Sequence, residues 1–300
     1  MGAPRDPEEL GATSAPVAAE LPASTAPGAV HLIVSDLQRS LAYYRQAVGL
    51  ELLGQDGGHA SLGAGGRELV ALIEEPGASP ATGFTGLYHF ALLVPQRPDL
   101  ATWLAHAARD RVPLVGLADH FVSEALYLSD PDGHGIEIYW DRPREAWEGQ
   151  VAERMTTLPL DVDSLLGELD DPRSATFDVL PGGTVMGHIH LKVADIPGTL
   201  AFYRDALGFG LMARLGSQAA FFGAGGYHHH VGANPWESHG AQSPPPGNAA
   251  LDHATLVLPD DTARDSVLER LERLGHLPQE TAAGPIVRDP SGNALLLAVR

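Results

Sequence analysis

Residues 30–36 read VHLIVSD, and they are followed by SLAYYR at 40–45 and GL at 49–50. The same order returns as IHLKVAD at 189–195, TLAFYR at 199–204 and GF at 208–209, an offset of 159 residues. Each copy begins with a short apolar run typical of a strand and continues with an apolar stripe at helical spacing. Self-similarity of this kind predicts a fold built from repeated units.

The ends of the helix in each copy are also marked. Asp36 and Asp195 precede the two apolar stripes, where a carboxylate can cap the first free backbone N–H groups of a helix. Gly49 and Gly208 follow the stripes and predict the helix stops, because glycine readily adopts the left-handed conformation that ends many helices.

Two further units begin at YHFALLV, residues 88–94, and DHATLVL, residues 252–258. Each leads into a helical pattern and ends in an Asp-Pro-x-Gly turn, DPDG at 130–133 and DPSG at 289–292, with a strand after it. The chain is therefore predicted to be an α+β protein of four βαβββ modules, with consecutive modules paired into two domains. The predicted boundaries are a disordered tail at 1–27, domain one at 28–145, a linker with a short helix at 146–184, and domain two at 185–300.

The net charge and the residue composition argue against several classes of partner and functional site. A net charge of −19 argues against nucleic acid or an anionic membrane surface as a partner. The chain has no cysteine, which excludes disulfides, thiolate metal sites and cysteine nucleophiles. Its first 29 residues lack a basic start and a continuous apolar core, so a secretory signal is not expected and we expect a cytoplasmic protein.

A histidine stands at the same point in the first strand of every module: His31, His89, His190 and His253. Within a paired domain, equivalent histidines on neighbouring strands can converge. Glu137, two residues into the strand after the DPDG turn, is flanked by apolar residues and supplies a carboxylate. His31, His89 and Glu137 are thus the predicted metal ligands, and two imidazoles with one carboxylate suit non-haem Fe(II), with Mn(II) as an alternative.

These motifs, with DHFVSEALY at 119–127, resemble the vicinal oxygen chelate superfamily of glyoxalases, bleomycin resistance proteins and extradiol dioxygenases. Within it they most resemble two-domain catechol 2,3-dioxygenases. The resemblance implies Fe(II) on the predicted ligands, a catechol and O2 as substrates, a muconic semialdehyde as product, and a homo-oligomer. It also implies that His120 is an acid/base residue and that Tyr127 hydrogen-bonds a substrate oxygen.

The chain departs from the family pattern at two points. Another acid/base histidine is expected shortly before the second ligand, but residues 72–76 read LIEEP, so either that role is missing or His59 or a residue from elsewhere supplies it. In domain two, Leu296 stands where the carboxylate should be. We interpret the run YHHH at 227–230 as a polar strand end or loop; a second metal site of His190, His253 and either His228 or His230 is the alternative.

Two other functions stay open on sequence alone. A glyoxalase-like metal-dependent isomerase or lyase would need a fourth protein ligand, for which Glu68 and Glu74 are the nearest candidates. A metal-free protein that sequesters small molecules would not require His31, His89 and Glu137 together.

Overall fold

The computed structural model describes residues 17–300, so residues 1–16 of the predicted tail lie outside the described part. The first module contains β1 (Ala26–Val34), α1 (Leu37–Tyr43) with a π-helical turn (Tyr44–Val48), β2 (Glu51–Asp56), β3 (His59–Ala64) and β4 (Arg67–Glu74). A short strand, β5 (Ser79–Pro80), leads to the second module: β6 (Gly86–Leu93), α2 (Arg97–Asp110), β7 (Gly116–Asp119), β8 (Ser123–Ser129) and β9 (Gly135–Asp141).

The linker holds a 3₁₀ turn (Arg144–Ala146), α3 (Val151–Arg154), β10 (Leu158–Pro159) and α4 (Val162–Leu166), so a short helix lies where one was expected. The third module contains β11 (Val185–Lys192), α5 (Ile196–Leu200) with a π-helical turn (Ala201–Ala206), β12 (Gly210–Leu215), β13 (Ala219–Gly223) and β14 (Val231–Asn234). After β15 (Asn248–Ala249), the fourth contains β16 (Leu251–Leu258), α6 (Asp261–Arg273), β17 (Gln279–Thr281), β18 (Gly284–Arg288) and β19 (Ala294–Val299).

The four predicted modules are confirmed, but their sheet partners differ from the prediction. One sheet has the order β17-β18-β19-β16-β1-β4-β3-β2 and joins modules one and four. The other has the order β10-β7-β8-β9-β6-β11-β14-β13-β12 and joins modules two and three. Modules one and two therefore do not share a sheet, and neither do modules three and four, because the first strands pair antiparallel as β1 with β16 and β6 with β11.

This pairing decides which repeated histidines meet. His31 lies opposite His253 across β1 and β16, whereas His89 lies opposite His190 across β6 and β11. His31 and His89 thus belong to different sheets. The sequence repeat identified the equivalent histidines correctly, but the prediction that His31 and His89 lie on neighbouring strands is wrong.

The local signals of the repeat are confirmed. The carboxylates of Asp36 and Asp195 accept hydrogen bonds from the backbone N–H groups of Arg39 and Gly198, as N-caps do. Gly49 follows its helix with φ +90°, and a Cβ there would clash with the ring of Phe177. Both the positive φ and the close approach therefore require glycine at this position.

The turn after β8 in module two forms a hydrogen bond to the helical segment of module one. Asp130 accepts hydrogen bonds from the backbone N–H groups of Asp132 and His134, which closes the turn, and from the buried hydroxyl of Tyr44 in module one at 3.0 Å. Tyr203 and Asp289 repeat this contact between modules three and four at 3.1 Å. Modules one and two consequently pack against each other, as do modules three and four, although the two members of each pair belong to different sheets. Within residues 17–300, no helix combines the length and apolarity needed to cross a bilayer.

The prediction of a disordered tail up to residue 27 is wrong for its described part. β1 starts at Ala26, and Leu21, only 5% exposed, is part of the main hydrophobic core. The backbone N–H groups of Glu20 and Leu21 both donate to the carbonyl of Gly208. The Ala- and Pro-rich composition of this segment suggested disorder, but the buried side chain of Leu21 anchors it on module three.

Replacing Leu21 with alanine should lower the free energy of unfolding by about 2–4 kcal/mol, because a buried leucine loses both its transfer energy and its close packing. Val17 offers a matched control, since its side chain is 43% exposed and only its backbone bonds to Leu211. Val17→Ala should change stability by less than about 0.5 kcal/mol. Urea titrations of the two variants measure the difference; equal, small effects would contradict the anchoring of this segment.

Candidate metal centre

Three side chains that can bind a metal converge on the sheet of modules two and three. His89 comes from β6, Glu137 from the adjacent β9, and His188 from β11 on the other side of β6. All three are buried, and one ligand atom from each lies within 4.8 Å of the other two. The structure therefore brings together two of the predicted ligands, His89 and Glu137, with a histidine that the sequence analysis missed.

The distances between the three side chains match those of ligands around one metal ion, and one buried nitrogen lacks a hydrogen-bond partner among the described residues. Oε2 of Glu137 lies 3.0 Å from Nε2 of His89 and 3.1 Å from Nε2 of His188. Two ligand atoms at right angles, each about 2.1 Å from a first-row metal, are about 3 Å apart. Nε2 of His89 is fully buried and, within residues 17–300, forms no hydrogen bond of acceptable geometry despite its short distance to Glu137. A metal ion would satisfy this otherwise costly buried nitrogen.

The electrostatics favour the protonation states that metal ligands need. Burial opposes ionisation of Glu137, but attraction and a hydrogen bond from His188, together with the adjacent His89 imidazole, outweigh it, and its pKa lies well below the usual value. Burial lowers the pKa of His188, although Glu137 acts in the opposite direction. At neutral pH the carboxylate is ionised and the His188 imidazole is neutral, which are the ligand forms.

His31, the third predicted ligand, does not belong to this cluster. Its ring stacks on that of His253 in the sheet of modules one and four, with ring centroids 3.9 Å apart. With the repeat offset of 159 residues, the position that corresponds to His188 is Ala29, and Leu296 replaces the carboxylate. The sheet of modules one and four thus lacks two of the three ligand positions.

The His31–His253 stack predicts an acid-sensitive contribution to stability. Burial and the neighbouring His253 lower the pKa of His31 to about 4, although Glu68 and Asp252 act in the opposite direction. The unfolded chain takes up this proton near its ordinary pKa of 6.5, so the contribution to stability is complete above pH 6.5 and is lost as the pH falls towards about 4. In urea titrations at pH 7 and pH 5, His31→Gln should lose less stability than the wild type. Equal losses in both proteins would contradict the low pKa.

His120 and Tyr127, which the family resemblance implicated, lie together at the edge of the centre. Nε2 of His120 is 2.6 Å from the hydroxyl of Tyr127, and Nδ1 is 3.0 Å from the carbonyl of Thr156. A carbonyl only accepts, so Nδ1 carries the proton and, in the neutral ring, Nε2 accepts from the tyrosine hydroxyl. The Tyr127 and His89 rings contact each other with centroids 5.6 Å apart, which places this pair beside the candidate ligands.

A strained residue holds the His120 loop in place. Phe121 has φ +67°, a left-handed conformation that is costly for a non-glycine residue. Its backbone N–H donates to Asp119 at 2.8 Å, and the Arg154 guanidinium lies 3.7 Å from the centre of its ring. These contacts fix the turn that points His120 towards Tyr127.

A further histidine, His229, lies beside the centre at the end of a relay. Nε2 of His228 is 2.9 Å from a carboxylate oxygen of Asp141, and Nδ1 of His228 is 2.9 Å from Nδ1 of His229. If His228 donates from Nε2 to the carboxylate, its Nδ1 accepts from His229, which leaves the lone pair of His229 on Nε2. Burial, and then repulsion from His188 and other nearby histidines, holds the pKa of His229 well below its usual value. His229 is therefore a neutral imidazole in a cavity that Glu137 and His188 also line.

His229 lies in the run YHHH that we interpreted as a polar strand end or loop. The segment precedes β14 and is buried, so the interpretation as a surface loop is wrong. The alternative second metal site does not form either, since His253 belongs to the other sheet and Nδ1 of His230 accepts from the backbone of Ala224. Nε2 of His190 lies 2.9 Å from the side-chain amide of Asn234. Within residues 17–300, His89, Glu137 and His188 are the one group of three histidine or acidic side chains whose ligand atoms all lie within 4.8 Å of one another.

A cavity of about 490 Å³ opens beside the centre. His89, His120 and Tyr127 form part of its wall, and Tyr88, Trp236 and Lys192 line it further out. Pockets of this size bind small organic molecules, with a few polar groups that fix the orientation of the ligand.

A family model, a sequence relative and a solved structure all relate this chain to one superfamily. The model of the Glyoxalase/Bleomycin resistance protein/Dioxygenase superfamily matches residues 26–138 and again 185–297. The chain is 41% identical over 280 residues to a catechol-2,3-dioxygenase of Bacillus subtilis (strain 168), which covers 91% of this chain and 96% of the relative. Glyoxalase I from Zea mays has the same fold, with a TM-score of 0.54 at 15% identity over 91% of this chain and 92% of the other. Four modules in two sheets, a matching family model and a close relative together show that the chain belongs to the Glyoxalase/Bleomycin resistance protein/Dioxygenase superfamily.

Proposed function

We propose that this protein is an extradiol ring-cleaving dioxygenase that uses Fe(II), held by His89, His188 and Glu137, and O2 to open catechol or a simple substituted catechol. The observation that carries the proposal is the convergence of two histidines and one carboxylate, of which His89 also lines the adjoining substrate-sized cavity. The 41% identity to a catechol-2,3-dioxygenase supports it. When bound to such a triad, Fe(II) supplies adjacent open positions for a diol and O2 and passes electrons between them.

The residues around the centre can handle the protons of this reaction. The lone pair on Nε2 of His229 can accept a proton from a diol hydroxyl, and the Asp141–His228 relay stabilises the imidazolium that results. The direction of transfer follows from the tautomer, since Nδ1 of His229 already donates to His228.

The His120–Tyr127 pair provides a second proton path on another side of the cavity. When Nε2 of His120 is protonated, it donates to the oxygen of Tyr127. The tyrosine hydroxyl can then donate its own proton to a substrate oxygen. The Thr156 carbonyl keeps the ring in one orientation in both protonation states. In this proposal His229 removes a proton from the diol, and Tyr127 with His120 positions and protonates oxygen.

A glyoxalase-like activity gains no support from the two carboxylates that the sequence suggested as a fourth ligand. Glu68 and Glu74 both lie on β4 in the sheet of modules one and four. Glu68 bonds to the hydroxyl of Ser61, and Glu74 accepts from the backbone N–H of Leu37. Neither belongs to the cluster of His89, Glu137 and His188.

Anaerobic loading of the purified protein with Fe(II), followed by catechol and oxygenated buffer, tests the proposal. The expected result is a yellow semialdehyde product, with one O2 consumed per catechol in an oxygen electrode. Mn(II) loading in parallel identifies which metal supports turnover. Oxygen uptake without the product, or no metal binding in equilibrium dialysis, would refute the proposed activity.

A further inference from the structure

The chain contains a single lysine. Eighteen of its nineteen basic residues are arginine, and the exception is Lys192 at the end of β11. It follows the candidate ligand His188 by four residues and His190 by two. A strand rises about 3.3 Å per residue, so the backbone of Lys192 lies about 13 Å along β11 from that of His188.

Lys192 lines the cavity of about 490 Å³ whose inner wall includes His89. Its side chain is only 14% exposed, and the nearest carboxylate, on Glu237, is 4.0 Å away and itself 62% exposed. An ion pair of that length with a solvated partner is weak, so it neutralises a buried ammonium incompletely. Burial lowers the pKa of Lys192, while Glu237 acts in the opposite direction.

Another carboxylate nearby is already engaged. Asp132 lines a smaller adjoining cavity together with Lys192, but its oxygens accept from the hydroxyl of Ser35 and from the guanidinium of Arg39 at 2.6 Å. Tyr88 and Trp236 form an aromatic wall next to the lysine, with ring centroids 5.5 Å apart. The outer cavity therefore combines an apolar surface for a ring with one buried cation that can take an anionic partner.

We propose that Lys192 is a specificity-determining residue that binds a carboxylate carried on a short arm of the catechol ring. The inference rests on the proposed dioxygenase function and specifies its substrate class. With both hydroxyls at the metal centre, the opposite side of the ring projects towards the outer cavity, where the substituent replaces Glu237 as the partner of the ammonium. A lysine suits this role because its long flexible stem carries a compact charge.

Three diols whose two-carbon arms are anionic, neutral and cationic provide the kinetic test: 3,4-dihydroxyphenylacetate, 4-ethylcatechol and dopamine. The wild-type kcat/KM for the acid should exceed that for 4-ethylcatechol by about tenfold or more, as a charge-assisted hydrogen bond allows. Lys192→Met should reduce this ratio to about one, and Glu237→Gln should raise it. Arg288→Met, which removes one positive charge from the other sheet, should leave the ratio unchanged. A ratio near one in the wild type, or a preference for dopamine, would overturn the proposal.

A binding experiment separates this inference from the proposed activity. Reductive methylation with ¹³C-formaldehyde labels the amino terminus and Lys192, because the chain has no other lysine. In metal-free protein, 3,4-dihydroxyphenylacetate should shift the dimethyl-lysine NMR signal, whereas 4-ethylcatechol should shift it much less. This shift in a protein that cleaves no diol would refute the dioxygenase activity and retain the anion site. Cleavage of catechols without any shift would retain the activity and refute the role of Lys192.

Discussion

Replacing His188 with glutamine is expected to abolish tight Fe(II) binding and to lower kcat/KM for catechol by more than about 100-fold. Loss of an outer-shell partner of a metal ligand costs about 10- to 100-fold, and the loss of a ligand should cost more. The reason is geometric, since His188 and His89 flank the same carboxylate oxygen at 3.1 and 3.0 Å. Metal analysis after equilibrium dialysis and initial rates of product formation measure both effects.

His31→Gln is the matched control, because it changes the same residue type at a position that the repeat made equally plausible. His31 stacks on His253 in the other sheet, so this variant should keep its metal and its activity within about twofold at pH 7. The reverse result, with His31→Gln inactive and His188→Gln active, would restore the triad predicted from sequence and refute the site described above.

Replacing His229 with glutamine should leave the metal bound but lower kcat by about 10²- to 10⁴-fold, which is the usual contribution of a positioned acid/base group. The His229 side chain lines the small cavity that Glu137 and His188 also line, but it is not part of the ligand cluster. Its Nε2 lone pair, set by the Asp141–His228 relay, is the feature that glutamine cannot reproduce. Single-turnover rates in the metal-loaded variant, compared with its metal content, separate the proton role from ligand loss.

His59→Gln tests the other origin that the sequence allowed for this acid/base role. His59 is exposed and begins β3 in the sheet of modules one and four. Its replacement should therefore leave kcat unchanged. A large loss at His59 together with normal turnover in His229→Gln would contradict the assignment.

Much of the fold was predictable because its signals are local. The four first strands, the Asp caps and the Asp-Pro-x-Gly turns depend on residues close together in the chain, and all are present in the structure. Glu137 was predictable for the same reason, since the turn sets its place on β9. Strand partners were not predictable, because equivalent apolar strands have equivalent edges and nothing local selects between them.

The predicted grouping of His31 with His89 and Glu137 depended on this step. Pairing module one with module two led to His31, whereas the pairing of β6 with β11 brings in module three. The sequence GHIH at 187–190 did contain a signal: His188 and His190 alternate onto one face of a strand, and module one has Ala29 at the matching position. His229 was hidden differently, because a run of three histidines resembles a polar surface segment until burial is known.

The interleaved sheets also bear on how the chain acquires its structure during synthesis. β1, the first strand of module one, pairs with β16. The edge of β1 at Val30 therefore stays unpaired until Ala254 has been synthesised. Contacts between such distant residues close slowly, and an unpaired apolar strand is prone to association in the meantime. Modules two and three are adjacent in the chain, so they can form their sheet first. The half of the molecule that holds the candidate metal centre can then act as the template on which the first and last modules assemble.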